Sequence, residues 1–306
     1  MMTIENILGA FVLLLLPLFY MFVGLFLVGV FQWLRNLSKP TDQHVPFWKP
    51  FTDVVAFFKE PSTDLGWLPN LLFILALAVP VFLVWLLPFT SVPTMAVHGD
   101  LLVVSFGLFA SSLLMNLAAK SFLETSDNCQ HAHGWNVWAV DLSLVLVAFV
   151  VAATVGSLKL TDIVNVQWGD IISGSSPSAF SFKDWLIGKL PLAGLLGIVS
   201  LGVYFANITQ PFRQQCLESS LKGASKYAGM KLLTSSLNVA VRLILYSLLF
   251  LGPGSVLVTT LKVLMVFVPS ALIGMLVSMV SSAKLMGYLN ALLVVLSFIS
   301  LVLTSL

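Results

Sequence analysis

Along the 306 residues, apolar positions run in long blocks rather than alternating or forming one-sided stripes. A membrane-spanning helix needs about 20 mostly apolar residues, and eight windows meet that length. They fall at about 7–34, 68–88, 101–122, 136–156, 187–207, 235–251, 255–281 and 286–305. Polar connectors of 35–67, 123–135 and 208–234 lie on one side of such a bundle, and one long loop, 157–186, lies on the other. The pattern predicts an all-α polytopic membrane protein. No internal repeat or low-complexity linker divides the chain, so 1–306 reads as a single integral membrane domain. In the first connector, Val54, Val55, Phe57 and Phe58 can form the apolar face of a short helix on the interface, with Lys59 and Glu60 in water.

Composition agrees. The chain is 58% hydrophobic and 9% charged, whereas soluble domains run at about 45–50% and about 25%. A net charge of +2 supplies no basic field for nucleic acid. The N-terminus carries Glu5 and no Lys or Arg before a long apolar stretch, which reads as a retained helix rather than a cleaved leader. Cys129 and Cys216 are too few for a disulfide scaffold.

Lys and Arg counts set the expected orientation, because basic loops resist translocation. With both termini on one side, the opposite side holds ten, including Arg35, Lys49, Lys59, Arg213, Lys226 and Lys231. The side of the termini holds three: Lys159, Lys183 and Lys189. The ten-residue side is therefore expected to be cytoplasmic, both termini external, and the location an inner (cytoplasmic) membrane. Arg242 and Lys262 fall within helices.

Two cytoplasmic stretches carry a pattern. The first loop holds Lys49-Pro50-Phe51-Thr52-Asp53 and runs on to Lys59-Glu60. The third opens on Pro211-Phe212-Arg213-Gln214-Gln215-Cys216-Leu217-Glu218 and closes on Lys226-Tyr227-Ala228-Gly229-Met230-Lys231. With eight helices and this length, the chain resembles subunit 1 of respiratory complex I (NADH dehydrogenase) and its counterpart in energy-converting membrane-bound hydrogenases. That family joins the membrane arm to the hydrophilic arm.

The resemblance implies a non-catalytic membrane subunit with no redox centre of its own. Its expected partners are cytoplasmic iron–sulfur and large redox subunits, with the iron–sulfur clusters held there, and antiporter-like and small membrane subunits. Electron transfer would be coupled to proton or sodium translocation. Lys49, Pro50, Asp53, Pro211, Phe212, Arg213, Tyr227 and Gly229 fall at the loops expected to dock the redox arm. The chain departs from the family where Arg213 replaces an Asp, Cys216 and Ser220 replace two Glu, and Lys226 replaces another; Glu218 alone keeps a carboxylate there. A standard quinone site is therefore an open question.

The candidates for the ion path are Asp141, Glu218, Arg242, His133 and Lys262. An intramembrane carboxylate such as Asp141 marks a function by default; the bland alternative is a packing Asp near the interface. Arg242 must be paired or hydrated, with Asp141 or Glu218 as partner, either in the path or in a structural ion pair. Lys262 is expected to snorkel outward, the alternative being a place in the path. Cys129, His131, His133 and Cys216 are chemically a zinc set at non-standard spacing, against plain interface packing or a titrating His133. No phosphate loop, nucleophile elbow, four-cysteine cluster motif or haem-binding pair occurs. Two rival readings remain open at this point: a structural anchor whose proton path has decayed, and a free-standing ion-coupled transporter.

Overall fold

The computed structural model describes residues 4–37, 45–60, 66–89, 99–120, 134–168, 186–208, 225–280 and 283–305. These form the helices α1 (Ile4–Leu37), α2 (Lys49–Lys59), α3 (Trp67–Leu86), α4 (Leu101–Lys120), α5 (Gly134–Val155) and α6 (Leu160–Trp168). They continue with α7 (Leu186–Lys189), α8 (Pro191–Ile208), α9 (Ser225–Leu251), α10 (Val256–Val280) and α11 (Ala283–Ser305). Seven of them carry apolar stretches of at least 18 residues, and α5 carries a shorter one, Ala139–Val155. Each of the eight apolar windows thus corresponds to a helix, and the chain is a multi-pass membrane protein.

Helix α9 is the centre. Its apolar stretch is 83% buried inside the protein, against 28% for α3 and α11, whose outer faces are left to lipid. It packs against α1, α2, α3 and α10 and also reaches α4, α5 and α8. Around it, α3 pairs with α4, α8 with α10, and α5 with both α8 and α11.

Bilayer lipid is as apolar as leucine, so packing between spanning helices depends on close approach and internal polar contacts. At Gly24 of α1, a Cβ would collide with the Ser236 backbone of α9, so only hydrogen lets these two helices touch. Between α5, α8 and α11, the buried Ser143 hydroxyl lies 2.7 Å from Ser200 and 2.9 Å from Ser297.

The structure changes three expectations. The sixth spanning window was placed at 235–251, yet α9 begins ten residues earlier, at Ser225. Lys226, Lys231 and Thr234 lower its hydropathy, but this stretch meets protein rather than lipid: Tyr227 and Thr234 are fully buried. The window 187–207 is broken ahead of Pro191, which lacks an amide hydrogen and suits a helix's first turn, so α7 and α8 are separate. The connector from 157 contains α6, whose Leu160 and Ile163 are buried. A two-residue bridge ties it to the start of α4, with the Leu101 amide donating to Leu158 at 2.8 Å and the Leu160 amide to Gly99 at 2.9 Å.

Helix α2 forms where the first connector predicts an interfacial helix. Pro50 sits in its first turn, and the Lys49 ammonium reaches Asp53 one turn on, at 2.6 and 2.8 Å. Val55 and Phe58 are exposed, while Phe51 stacks on Phe22 of α1.

Candidate functional site

Arg242 stands about two-thirds of the way along α9, in the most buried part of the bundle. Asp141 faces it from α5; each residue is only 4% exposed. The guanidinium donates to a single carboxylate oxygen, Asp141 Oδ1, from Nε at 3.0 Å and from Nη2 at 2.7 Å. Nη2 also donates to the Ser112 hydroxyl of α4 at 3.0 Å, and Nη1 donates to the Asn238 carbonyl at 3.1 Å. The Tyr204 ring of α8 covers the guanidinium carbon at 4.4 Å, within range of a cation–π contact. A buried cation is tolerable only when paired and hydrogen-bonded, and Arg242 meets both conditions with groups from α4, α5, α8 and α9.

The polar set continues toward α3. Asn238 Nδ2 donates to Ser111 at 2.9 Å, and the Ser111 hydroxyl donates to the Ala76 carbonyl at 2.8 Å. Because Ser111 spends its one hydrogen on Ala76, the Asn238 amide must present nitrogen to it. Asn238 Oδ1 is left buried, without a hydrogen-bond partner among the described residues.

On the other side of Arg242, the pair opens into a cavity of about 40 Å3 between α4, α5 and α9. Ser105, Asp141, Arg242 and Tyr246 supply its polar lining, and Leu108, Val145 and Leu249 are among its apolar walls. At roughly 10–15 Å3 per water the volume alone suits about three, although most of the wall is apolar. Tyr246 donates its hydroxyl proton to the Gly194 carbonyl of α8, which holds the ring against the cavity.

Of the sequence candidates, the structure brings Asp141 and Arg242 together and gives Arg242 the first of its two expected partners. Lys262 lies elsewhere. Its ammonium does not reach the outer surface but is 2% exposed, turned onto the carbonyls that end α9. The described docking candidates gather around α2 and the first turns of α9. Gly229 faces Phe57 and Phe58 so closely that a Cβ would lie 3.1 Å from the Phe58 ring. Tyr227 donates to Asn70 of α3 at 2.5 Å and packs against Phe73. Both belong to α9 itself, not to a loop before it. Glu218, His133, Pro211, Phe212, Arg213, Cys129, His131 and Cys216 lie outside the described residues. Among the described residues, no three His, Cys, Asp or Glu side chains cluster as metal ligands.

Sequence reasoning missed Ser111, Ser112, Tyr204, Asn238 and Tyr246. A usable signal existed: Thr234, Asn238, Arg242 and Tyr246 recur every four residues, which places one polar stripe along the spanning part of the helix.

No family model matches the chain, and no curated protein matches it in sequence. Among solved structures it superposes on a chain of the membrane-bound sulfane sulfur reductase, described as an archaeal respiratory membrane complex. The TM-score is 0.77 at 19% identity, over 97% of this chain and 99% of that one. The two chains share one fold. The match runs over the whole bundle, so α9 and the helices around it belong to the shared architecture.

Proposed function

We propose that the chain is a membrane subunit of a complex-I-like, hydrogenase-related respiratory oxidoreductase. In this reading it anchors a hydrophilic redox arm and couples electron transfer to ion movement. The observation that carries the proposal is the Asp141–Arg242 pair, buried beside a water-sized cavity in a chain that shares its fold end to end with part of a respiratory membrane complex. A soluble redox protein would dock on the basic face, beside α2 and the first turns of α9. The iron–sulfur clusters belong to the partner subunits, and the basic face lies in the cytoplasm of an inner-membrane protein.

The coupling residue is Asp141, with Arg242 as the fixed countercharge beside it. A carboxylate next to a guanidinium, beside a water-sized space, suits a proton. It suits Na+ poorly, since the nearest cation position is already taken by Arg242 and few oxygens line the cavity.

A second reading has its own support. Arg242 makes four hydrogen bonds, which is how a structural ion pair is held. One experiment separates the two. The intact complex is purified through a tag on this chain, its subunits and metals are identified, and it is placed in vesicles with Asp141→Asn beside wild type. Iron-containing redox subunits in the preparation support the anchor role. Loss of ion pumping with electron transfer retained supports the path, and unchanged pumping leaves only the structural pair. Isolation of the chain alone, without iron, overturns the proposal in favour of a free-standing transporter.

A further inference from the structure

Helix α9 ends at Leu251, and the last carbonyls of a helix are left without intrahelical donors and carry its negative dipole end. Here the chain turns through Gly252, whose φ of 75° lies in the left-handed region. That turn aims three successive carbonyls at one point. Lys262, from the second turn of α10, puts its ammonium there. It donates to Leu251 O at 2.7 Å, Pro253 O at 2.9 Å and Gly252 O at 3.1 Å. An ammonium has three N–H donors and no acceptor, so the set is complete. Lys262 is 2% exposed, and among the described residues it forms no ion pair with a carboxylate.

The start of α10 is fitted to the same turn: Thr259 donates to the Gly254 carbonyl at 3.3 Å, and the Val258 amide donates to the Ser255 hydroxyl at 3.3 Å. Convergent backbone carbonyls replace water around alkali cations in membrane proteins, and an ammonium asks for the same oxygens. We propose that the Leu251–Pro253 turn is a monovalent-cation site which the chain fills with its own Lys262 ammonium. Tethering the cation makes the α9–α10 connection independent of the salt outside, and gives Lys262 a role apart from any ion path.

Shortening the side chain vacates the cradle and gives the test. The full-length chain, purified in mild detergent with whatever subunits accompany it, is melted as wild type, Lys262→Ala and Lys262→Met. Each is measured in equal concentrations of potassium, ammonium or N-methylglucamine chloride. Both variants are expected to melt several degrees below wild type in N-methylglucamine, a cation too large to enter. Potassium or ammonium should return Lys262→Ala toward the wild-type value, while Lys262→Met, whose chain still fills the approach, gains less. Wild type should not respond to the change of cation. A Lys262→Ala melting point identical in all three salts overturns the proposal, as does a wild type that responds as much as the variant.

A measurement on wild type alone covers the case in which neither variant accumulates. Under a membrane-permeant amine-acylating reagent, Lys49, whose side chain is 45% exposed, is modified while Lys262 is spared. Modification of both at one rate overturns the cradle.

Discussion

The Arg242 guanidinium of α9 and the Asp141 carboxylate of α5 meet at one oxygen, with two nitrogens on Oδ1 and the nearer at 2.7 Å. Breaking such a pair by removing one partner leaves a buried charge, at a cost of about 3–5 kcal/mol, whereas replacing both with apolar groups is often neutral. Arg242→Met and Asp141→Leu are each expected to lower the melting point of the detergent-purified protein sharply. The double variant should lie well above either one. Additive losses in this cycle would show that the two side chains are not coupled.

Gly24 offers a steric test. A methyl group there has to displace the Ser236 backbone at the α1–α9 contact. Overpacking of this kind costs about 1–3 kcal/mol. Gly24→Ala is expected to destabilise the protein by that amount, and Leu14→Ala, on an exposed part of the same helix, by much less. Thermal unfolding of the two variants decides it.

The serine node can be dissected one hydroxyl at a time. Ser143 is central, with Ser200 and Ser297 each bonded to it. Interhelical hydrogen bonds inside membranes contribute about 0.6 kcal/mol on average. Ser143→Ala therefore forfeits two such bonds and Ser297→Ala one, and the stability losses should rank in that order in unfolding measurements.

Tyr227→Phe removes the hydroxyl that binds Asn70 and leaves the ring on Phe73. A neutral hydrogen bond is worth about 1 kcal/mol. The expected result is faster amide hydrogen exchange in the first turns of α9 and α3, with exchange near Arg242 unchanged.

Much of this architecture is legible in the sequence because lipid imposes a single demand, a run of about 20 apolar residues. That demand locates α1, α3, α4, α5, α8, α10 and α11 to within a few residues. It fails at the start of α9, where Lys226, Lys231 and Thr234 lower the hydropathy of a stretch that packs on protein through Tyr227 and Thr234. The same limit hides the site. Asp141 and Arg242 stand out as charges in apolar windows, and their pairing follows from the need for a countercharge. Ser111 and Ser112 do not stand out, since serine is common at helix contacts and only the fold tells which hydroxyls meet the guanidinium. Lys262 misleads for a related reason. Its distance from the helix end suits snorkelling equally well, and the left-handed turn at Gly252 that captures it depends on a three-dimensional path.

The central place of α9 has a consequence for biosynthesis. Asp141 leaves the ribosome 101 residues before Arg242, an interval of roughly 5–20 s at usual rates of about 5–20 residues per second. Through that time the α5 carboxyl has no Arg242 guanidinium to meet, although α6, α7 and α8 are made within it. Closure around Asp141 therefore waits on α9, which packs against α1, α2 and α3 and reaches α4, α5 and α8, all made before it. Order of synthesis, as much as affinity, then decides when the bundle closes.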